Sequence, residues 1–427
     1  MRRRRITAAA VVVAGLTLLA ACAGGTPEPG GPTTITFWTH THPPMIEVYQ
    51  KLITEYENEH PGIKIDYQTI PNNEFGTKML TSLSNGTGPD VINMDDSALR
   101  GEYITKDLVA PIDPAAVGAG SVDEIKSRYV PGTLDGAAGP DGRLYGLPSE
   151  FNGTALAINT RHFADAGLDP DDPPASWDEV AEAGQQLIAA GHTQAFSFLY
   201  LHSGWYSQQF QTLLGQAGGV LADGDHGALD QPAAKRALQT WVDLAGGSRS
   251  TADPNQTSRE ATVPFQDLAT GRQSMAIVYP WAMDQIAETN PDVYKQLKVV
   301  PLPQLDAAAP ANRVYGYYWA VNRASRQQPE AWAFIDFLAG RSDDFLTGTN
   351  FVQPVVGWDK TPAARKIDFI DVWSAAYPTG RFDQVTPHYA EVQDALTTMV
   401  NAAVFDQVPV DRAAAEATEA ITRILQN

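Results

Sequence analysis

The chain has 427 residues and a formal net charge of −20, with 43% apolar and 19% charged residues. A chain of this length normally divides into two hydrophobic cores, and the composition is that of an ordinary globular protein. The strong acidity disfavours nucleic acid and anionic lipid surfaces as partners. The single cysteine excludes an internal disulfide.

The first 22 residues have the pattern of an export signal. A basic start at residues 2–5 precedes Ile6–Ala21, an apolar run of 16 residues that ends at the sequence Leu-Ala-Ala-Cys. The run is shorter than the roughly 20 apolar residues that span a bilayer, which favours a cleaved signal over a membrane helix. Leu-Ala-Ala-Cys also matches the bacterial lipobox, so Cys22 is predicted to carry the lipid. The alternative is an ordinary leader, residues 1–21, with a chance cysteine behind it.

A Gly/Pro-rich tether at residues 22–33 follows the predicted cleavage point. Such a segment has nothing to bury and connects the lipid to the folded part. Cleavage removes four arginines and no acidic residue, which takes the net charge from −20 to −24. These features predict a protein on the extracytoplasmic face of the cell membrane, anchored through Cys22.

Strands and helices alternate in the region after the tether. Helical spacing and strand-like alternation predict strands at 33–38, 63–67 and 89–92 and helices at 45–56 and 75–83. The order is β-α-β-α-β, and parallel strands joined by crossover helices bind ligands at their carboxyl ends. We therefore expect the loops at 38–42, 72–74 and 93–97 to share one edge of a sheet.

The segment 142–167 links this region to a second body of the protein. A turn around Pro148 precedes a short buried strand at 155–158 and a helix at 161–167. Further on, Ser176 and Glu179 form a capping box that starts a helix. The remaining predicted elements are helices at 205–214 and 232–244, a strand at 275–278, a strand at 315–321, a helix from Pro329 and two last helices at 389–404 and 412–425.

Three of these segments resemble extracellular solute-binding proteins of the sugar class, the maltose-binding-protein-like family. Residues 142–168 are close to the family pattern G-x-x-Y-G-x-P, an apolar strand ending in Asn, and F-x-x-A-G-L. Residues 270–281 resemble its G-x-x-A-M-x-I-x-G-x-W, and residues 299–303 match its V-x-P-L-P. The resemblance extends over nearly the whole chain after the tether.

Two departures from the family pattern alter the expected pocket. Ser274 and Tyr279 replace small residues in the segment that ends at Trp281. Of an expected Gly-Gly-Gly only Gly316 remains, followed by two tyrosines at 317–318. The pocket wall is therefore predicted to be bulkier and more aromatic than is usual in the family.

The resemblance implies an α/β protein with the two-lobe periplasmic-binding-protein-like fold of type II. Each lobe is expected to be a mostly parallel sheet flanked by helices, with lobe 1 at 34–150 and 313–365 and lobe 2 at 151–312 and 366–427. Three segments then cross between the lobes as a hinge. The implied function is capture of an extracellular sugar by hinge closure and delivery to the permease of an ABC importer. The chain has no G-x-x-x-x-G-K-[ST] motif, so the ATPase is expected to be a separate protein.

A sugar site needs hydrogen-bond acceptors for the hydroxyl rim and flat aromatic rings for the ring faces. The loops and strand ends placed above supply both kinds of side chain. By the resemblance, Trp281 and the pair Asp95-Asp96 match positions at which related proteins contact sugar. The full set of candidate ligand-binding residues is Trp38, His40, His42, Glu74, Asp95, Asp96, Glu150, Asn152, Trp205, Tyr206, Tyr279, Trp281, Tyr317, Tyr318, Arg381 and Tyr389.

The polar candidates also have structural interpretations. One aspartate of the pair 95–96 could cap a helix with the other in solvent, and Glu74 could cap or solvate the helix that it begins. Glu150 and Asn152 lie in the crossover, where they could order the hinge through hydrogen bonds to the backbone.

The aromatic candidates could equally belong to a core. Trp281 could pack under its strand end, Trp38 could face inward, and the helix at 205–214 needs inward-facing aromatic residues of its own. Tyr317 and Tyr318 point to opposite faces of one strand, so only one of them should face the cleft.

Two signals compete with a sugar site. His40 and His42 alternate on a loop near Asp95-Asp96 and could hold a metal, but the sequence offers no third histidine nearby. Sugar hydrogen bonding and a loop without a ligand remain open for them. Arg381 could pair with a phosphate or carboxylate, although a surface or interlobe salt bridge is favoured.

Paired carboxylates in an aromatic cleft are also compatible with a glycosidase. Nothing in the sequence fixes two carboxylates on opposite sides of a cleft with an apolar pocket around one, so a binding protein is favoured over an enzyme. The alternative importer ligands are glycerol phosphate, a glycerophosphodiester, a polyamine or a metal. No cofactor, no resident metal and no nucleic acid partner is predicted, and a monomer is expected.

Overall fold

The computed structural model describes residues 31–198, 203–247, 249–251 and 263–427. The strands are β1 (Thr33–His40), β2 (Ile63–Ile70), β3 (Val91–Asp95), β4 (Val109–Ala110), β5 (Leu147–Gly153), β6 (Ala155–Asn159), β7 (Ala222–Asp223), β8 (His226–Gly227), β9 (Met275–Val278), β10 (Leu297–Val300), β11 (Asn312–Asn322) and β12 (Gly380–Arg381). They form two main sheets and one two-stranded ribbon, β7-β8.

The helices surround these sheets. They are α1 (Pro43–Glu59), α2 (Asn72–Ser84), α3 (Asp96–Ala98), α4 (Val122–Ser127), α5 (Thr160–Asp165), α6 (Trp177–Ala189), α7 (Ser203–Gln216), α8 (Pro232–Gly246), α9 (Pro264–Ala269), α10 (Pro280–Thr289), α11 (Pro291–Tyr294), α12 (Gln328–Ala339), α13 (Ser342–Thr349), α14 (Ile370–Ala376), α15 (Tyr389–Val404) and α16 (Val410–Leu425). A π-helical segment occupies Leu99–Ile104, and 3-10 turns occupy Pro114–Val117, Asp135–Ala137, Trp358–Lys360, Ala364–Lys366 and Tyr377–Thr379.

Local sequence signals explain where several helices begin and which face they bury. Helix α1 has two prolines in its first turn and buries residues at helical intervals, including Met45, Leu52 and Tyr56. Helix α6 begins with the predicted capping box, in which Ser176 and Glu179 each bond the other's backbone N–H. The predicted helix at 389–404 is α15, with the same bounds.

The first sheet has the strand order β12-β11-β3-β1-β2, and β4 and β5 also pair with β11. Strand β1 is parallel to both β2 and β3, which confirms the predicted β-α-β-α-β order. Strand β11 returns to this sheet and runs antiparallel to β3, β4 and β5. The ends of β1 and β3 therefore lie at one edge, as the crossover pattern predicted.

The prediction of a mostly parallel sheet in each lobe is wrong, because β11 makes the first sheet mixed and the second sheet, β10-β6-β9, is antiparallel between neighbours. Strand β6 is antiparallel to both of its neighbours. Strands β9 and β10 run in the same direction as each other, as two strands linked through helices should. The error arises because β6 lies between them in the opposite direction, and alternation of strands and helices does not reveal such an insertion.

Two of the crossings between the sheets lie side by side. Strand β5 belongs to the first sheet and β6 to the second, and only Thr154 separates them. Asn312 is the first residue of β11. The Thr154 hydroxyl donates to Asn312 Oδ1, and Asn312 Nδ2 donates a 2.8 Å hydrogen bond to the Thr154 carbonyl. These bonds hold together the segments on which the two sheets join.

The described residues contain separate apolar cores for the two sheets. One packs around β1 and β11 with α1 and α12, and another packs around β6 with α6, α8, α15 and α16. This division agrees with the two cores expected from chain length. The exact lobe bounds stay a prediction, and Cys22 with most of the tether lies outside the described residues.

Candidate functional site

A cavity of about 480 Å³ opens where the strand ends of the first sheet face α7, α10 and α15 of the other body. Its volume lies within the range of roughly 300–1,000 Å³ that is common for small-ligand sites. Residues from both sides of the molecule line it. They are His40, His42, Asn72, Asp95, Asp96, Ser97, Ala98, Glu150, Gln208, Tyr279, Trp281, Gln285, Arg313, Tyr315, Tyr317, Phe351, Tyr389 and Gln393.

The structure brings together most of the residues proposed from sequence. The structure shows that these residues line one cavity, and their contact with a ligand stays a prediction. The candidates that line the cavity are His40, His42, Asp95, Asp96, Glu150, Tyr279, Trp281, Tyr317 and Tyr389.

Tyr318 is a wrong prediction for the cavity wall. Its side chain is fully buried, and its hydroxyl donates to the Thr133 carbonyl. Tyr317, the next residue along β11, lines the cavity with its ring centroid 4.9 Å from that of His40. Alternation along a strand is the physical reason, and it confirms that only one of the two tyrosines faces the cleft.

Two further candidates from the first sheet do not line the cavity. Trp38 is partly buried against the core around Ile70 and Met79, with Lys78 Nζ 5.1 Å from its ring centroid. Glu74 is exposed in the first turn of α2, and Asn72 from the same turn lines the cavity instead. Trp38 therefore packs in a core, and Glu74 lies in solvent at the start of α2, where Pro71 occupies the N-cap position.

Three other candidate positions have different placements. Asn152 is buried beneath the cavity, where its Nδ2 donates to Glu150. Arg381 is exposed and lines a smaller neighbouring cavity of about 210 Å³. The side chains of Trp205 and Tyr206 lie outside the described residues, so their role stays a prediction.

Asp95 has both a capping role and a place in the cavity wall. Its Oδ1 accepts a 3.0 Å hydrogen bond from the Ala98 N–H and so caps α3. Burial and the neighbouring charge of Asp96 together raise the pKa of Asp95 to about 6, against the opposing effect of the hydrogen bonds from the helix backbone. The half-buried carboxyl still faces the cavity, where it can accept a hydroxyl.

Asp96 is mainly structural. One of its oxygens accepts from Arg100 Nη2 at 2.8 Å, and the other accepts from the Gly316 N–H at 3.2 Å. Both side chains of this ion pair are largely or fully buried. Of the two neighbouring aspartates, Asp95 is therefore the better acceptor for a ligand.

Glu150 is a buried acceptor at the crossover between the two sheets. The residue is 4% exposed, its Oε1 accepts a 2.8 Å hydrogen bond from Asn152 Nδ2, and its Oε2 has no partner in the part of the protein that the structure describes. Burial raises the pKa of Glu150 to about 7, while the Asn152 bond opposes that rise. The carboxyl lines the cavity and can accept a ligand hydroxyl with Oε2.

We expect Glu150→Gln to stabilise the unliganded protein at pH 8 but not at pH 4.5. The pKa of Glu150 rises from 4.5 to about 7 on folding. The cost of burying the charged form is therefore absent near pH 4.5 and fully present above pH 7. At about 1.4 kcal/mol per pKa unit this cost is about 3 kcal/mol. Urea unfolding of both proteins at the two pH values measures it, and a difference independent of pH would contradict the assignment.

Sequence reasoning missed Arg313 and Tyr315, although a signal was available. Both line the cavity with Tyr317, because residues 313, 315 and 317 share one face of β11. Arg313 binds the Asp383 carboxylate through Nε at 3.1 Å and Nη2 at 3.0 Å, with both side chains buried. Tyr315 accepts a 2.6 Å hydrogen bond from Trp281 Nε1, which fixes the indole.

Helical spacing could have identified two glutamines in the same way. Gln285 lies four residues after Trp281 on α10, and Gln393 lies four residues after Tyr389 on α15. Side chains four apart lie on the same face of a helix. Phe351 follows α13 in a loop, and no signal in the sequence indicated that it would line the cavity.

The two histidines of the first loop are held in their neutral form. Burial, followed by the neighbouring His42, lowers the pKa of His40 to about 4. Burial also lowers the pKa of His42, although Glu288 opposes this effect. Their ring centroids are 6.5 Å apart, and no group of three or more metal-ligating side chains is found in the described ranges.

Several buried polar atoms around the cavity lack a partner among the described protein groups. They are Glu150 Oε2, His40 Nδ1, His42 Nδ1 and Arg313 Nη1. Native proteins satisfy nearly all buried polar atoms, so solvent or a ligand must supply these partners. Acceptors, donors and aromatic rings are thus collected at one concave site between two bodies.

The family profile of bacterial extracellular solute-binding proteins matches residues 42–343. The chain belongs to this family. Its members are binding proteins, and they work with the components of ABC transporters. Among residues 31–198, 203–247 and 263–427, no helix combines the length and the apolar character that a membrane span requires.

Relatives in other bacteria are similar over most of their length. A binding protein of Brucella abortus is 25% identical over 403 residues, covering 90% of both chains. The lactose-binding protein of Rhizobium radiobacter is 23% identical over 360 residues, covering 80% of this chain and 77% of its own.

Solved structures share the fold. The GacH receptor of Streptomyces glaucescens, solved without ligand and with acarbose, aligns with a TM-score of 0.77 and 18% identity, covering 93% of this chain and 99% of its own. UgpB of Mycobacterium tuberculosis in complex with glycerophosphocholine aligns with a TM-score of 0.77 and 19% identity, covering 93% of this chain and 99% of its own. These likenesses confirm the two-lobe periplasmic-binding-protein-like fold of type II.

Proposed function

We propose that this protein captures an extracellular sugar in the cavity and delivers it to the permease of an ABC importer. The observation that carries the proposal is Glu150, whose buried Oε2 has no partner among the described residues and faces a cavity walled by aromatic rings. Carboxylate oxygens accept the hydroxyls of a sugar, and aromatic rings pack on its C–H faces. Tyr279 and Trp281 stack with centroids 5.3 Å apart and planes within 6°, and both line the cavity.

The charges at the site favour a neutral ligand over an anionic one. Arg313 is neutralised by Asp383, and Arg100 is neutralised by Asp96. Within the described ranges, the carboxyls of Asp95 and Glu150 have no such cationic partner, and they oppose a phosphate at the same place. A polyol can accept from the remaining donors and donate to these carboxyls without bringing a charge into a buried site.

Relatives give independent support for a sugar. The lactose-binding relative is a carbohydrate-binding protein similar in sequence, and the receptor solved with acarbose has the same fold. We extend that substrate class to this chain because its own cavity has the matching chemistry. Neither relative identifies which sugar this chain binds.

Closure of the two lobes on the ligand is the proposed mechanism. We take lobe 1 as residues 34–150 and 313–365 and lobe 2 as 151–312 and 366–427, with bending at the crossings around Thr154 and Asn312. A ligand that contacts both lobes stabilises the closed form, which is the form offered to the permease. The protein is proposed to act as a monomer, to release its ligand unchanged and to have no enzymatic activity of its own.

A phosphorylated ligand is the second candidate, and Arg313 is the observation in its favour. Nη1 of this buried guanidinium lines the cavity without a protein partner, and guanidinium groups bind phosphates well. The UgpB structure shows that the same fold holds a glycerophosphodiester. Asp383 already binds two of the three guanidinium nitrogens, so we place this candidate behind a neutral sugar.

Anchoring through Cys22 is also proposed, on the basis of the Leu-Ala-Ala-Cys sequence that precedes the tether. Cys22→Ser should move the protein from the membrane fraction of the native host to the soluble fraction. The mass of the mature wild-type protein checks the same point, because an unmodified Cys22 in membranes would refute lipidation.

A thermal-shift screen of the mature protein tests the substrate class. The screen includes mono- and oligosaccharides, glycerol phosphates, glycerophosphodiesters, polyamines and divalent metals. A ligand present at 100 times its Kd stabilises the folded state by about 2.7 kcal/mol and so raises the Tm. We expect a clear rise with one series of sugars, whereas a rise only with phosphorylated or cationic compounds would overturn the sugar assignment.

A further inference from the structure

A second cavity adjoins the proposed sugar site and is similar in size. Its volume is about 510 Å³, against about 480 Å³ for the inner cavity described above. His42, Trp281, Gln285 and Phe351 line both cavities, so the two share a wall. We call the second one the outer cavity.

One face of α10 forms a side of the outer cavity. Trp281, Asp284, Gln285 and Glu288 all line it, at the i, i+3, i+4 and i+7 positions of the helix. This face offers an aromatic ring next to carboxylate and amide oxygens, the combination that the inner cavity also presents. Burial, with a smaller effect from the charge of Glu288, raises the pKa of Asp284 to about 6, although the hydrogen bond from Asn350 opposes this rise.

The opposite side of the outer cavity comes from the first sheet and its helices. It consists of His42–Pro44 and of residues 347–351, at the end of α13. Asn350 Nδ2 donates a 2.8 Å hydrogen bond to Asp284 Oδ1 and joins the two sides. A group in the outer cavity would therefore touch both bodies, as a group in the inner cavity does.

The outer cavity also continues outward. It shares Pro44, Thr347 and Gly348 with a third cavity of about 520 Å³ along α1 and α13. A ligand that extends past Trp281 would therefore not be blocked by a wall at the far end of the outer cavity. A monosaccharide would leave the outer cavity to water, whereas a linear sugar chain could occupy both.

We propose that the ligand is an oligosaccharide, with one unit in the inner cavity and the next beyond Trp281 in the outer cavity. This inference rests on the proposed sugar-binding function and adds the length of the ligand to it. Trp281 separates the two units, and the α10 face at Asp284, Gln285 and Glu288 binds the hydroxyls of the second. The selectivity for chain length therefore resides in the outer cavity.

Calorimetry of the mature protein with matched sugars of one, two and three units tests this inference. The probes are glucose, maltose and maltotriose, lactose with galactose, and arabinose with arabinobiose and arabinotriose. Within the series that binds, we expect the disaccharide to bind at least about tenfold more tightly than the monosaccharide. A tenfold tighter Kd corresponds to about 1.4 kcal/mol of additional binding free energy from the contacts of the second unit.

Thr347→Trp should remove this gain by filling the outer cavity from the exposed face of α13. Thr347 lines the outer and third cavities and does not line the inner one. We expect monosaccharide affinity to change by less than about twofold and the tenfold gain of the disaccharide to disappear. The matched control is Thr289→Trp, an exposed position on α10 that lines none of these three cavities and should leave both affinities unchanged.

Glu288→Ala is a second variant for the case in which Thr347→Trp does not fold. Glu288 is exposed and lines only the outer cavity of the three, so its removal should weaken the disaccharide by about threefold or more and leave the monosaccharide unaffected. Equal loss for both sugars would overturn the outer site. Equal affinity of the wild-type protein for all lengths would overturn it while the sugar function stands, and binding of none of the sugars would overturn both.

Discussion

Replacing Trp281 with alanine is expected to weaken sugar binding by about tenfold or more, a loss of at least about 1.4 kcal/mol. The indole is half-buried in the cavity wall, with Tyr279 stacked beside it and its Nε1 bonded to Tyr315. Alanine removes the flat surface on which a sugar ring packs and releases the Tyr315 hydroxyl. Calorimetric titration of the folded variant with the sugar found in the screen measures the change.

Two controls separate this effect from a general loss of structure. Trp281→Phe keeps an aromatic ring and should recover most of the affinity. Trp358→Ala removes a buried indole from a core outside the cavity, so it should lower the Tm and leave the affinity of the folded protein unchanged. Wild-type affinity in Trp281→Ala would remove this residue from the site.

Replacing Asp383 with alanine is expected to destabilise the protein by about 3–5 kcal/mol. Asp383 and Arg313 have side chains that are 2% and 3% exposed, with Nη2 and Oδ2 3.0 Å apart. Removing the carboxylate leaves a buried guanidinium without its counter-charge beside the cavity. The cost should therefore appear in urea unfolding of the unliganded protein.

The matched control is Asp171→Ala, which breaks an exposed ion pair with Lys298. Exposed pairs contribute little, so this variant should unfold like the wild type. Replacing both members of the buried pair, as Arg313→Met with Asp383→Leu, should recover most of the lost stability because no unpaired charge remains. Equal stability of Asp383→Ala and Asp171→Ala would contradict the account of the buried pair.

Most of the fold was predicted from the spacing of apolar residues along the chain. The β-α-β-α-β order, the capping box at Ser176 and the bounds of α15 follow from local patterns of apolar and capping residues. The direction of β6 between β9 and β10 does not, because it is decided by where a distant strand inserts. Long-range pairing of this kind leaves no trace in the spacing of one segment.

The site was predictable where the chain placed it at strand ends. His40 and Asp95 follow predicted first-lobe strands, Glu150 lies in the predicted crossover, and the three meet in the cavity. The partners of charged side chains were less predictable. Arg381 was the candidate for an ion pair or an anion site, whereas Arg313 lies 70 residues before Asp383 in sequence and forms the buried pair with it.

The two tyrosines after Gly316 show what the alternation of side chains along a strand can predict about the cavity wall. It indicated that one of Tyr317 and Tyr318 would face the cleft, and the structure assigns that place to Tyr317. The same alternation, extended backwards, identifies Tyr315 and Arg313. Once one residue of a strand is placed, its neighbours two positions away need no further signal.

A crystal structure of the mature protein with the sugar that raises the Tm most would show directly whether the inner cavity is a sugar site. We expect a sugar unit in the inner cavity, with a hydroxyl bonded to Glu150 Oε2 and a ring face against Trp281. A sugar bound elsewhere, or one that leaves Glu150 Oε2 without a partner, would contradict it.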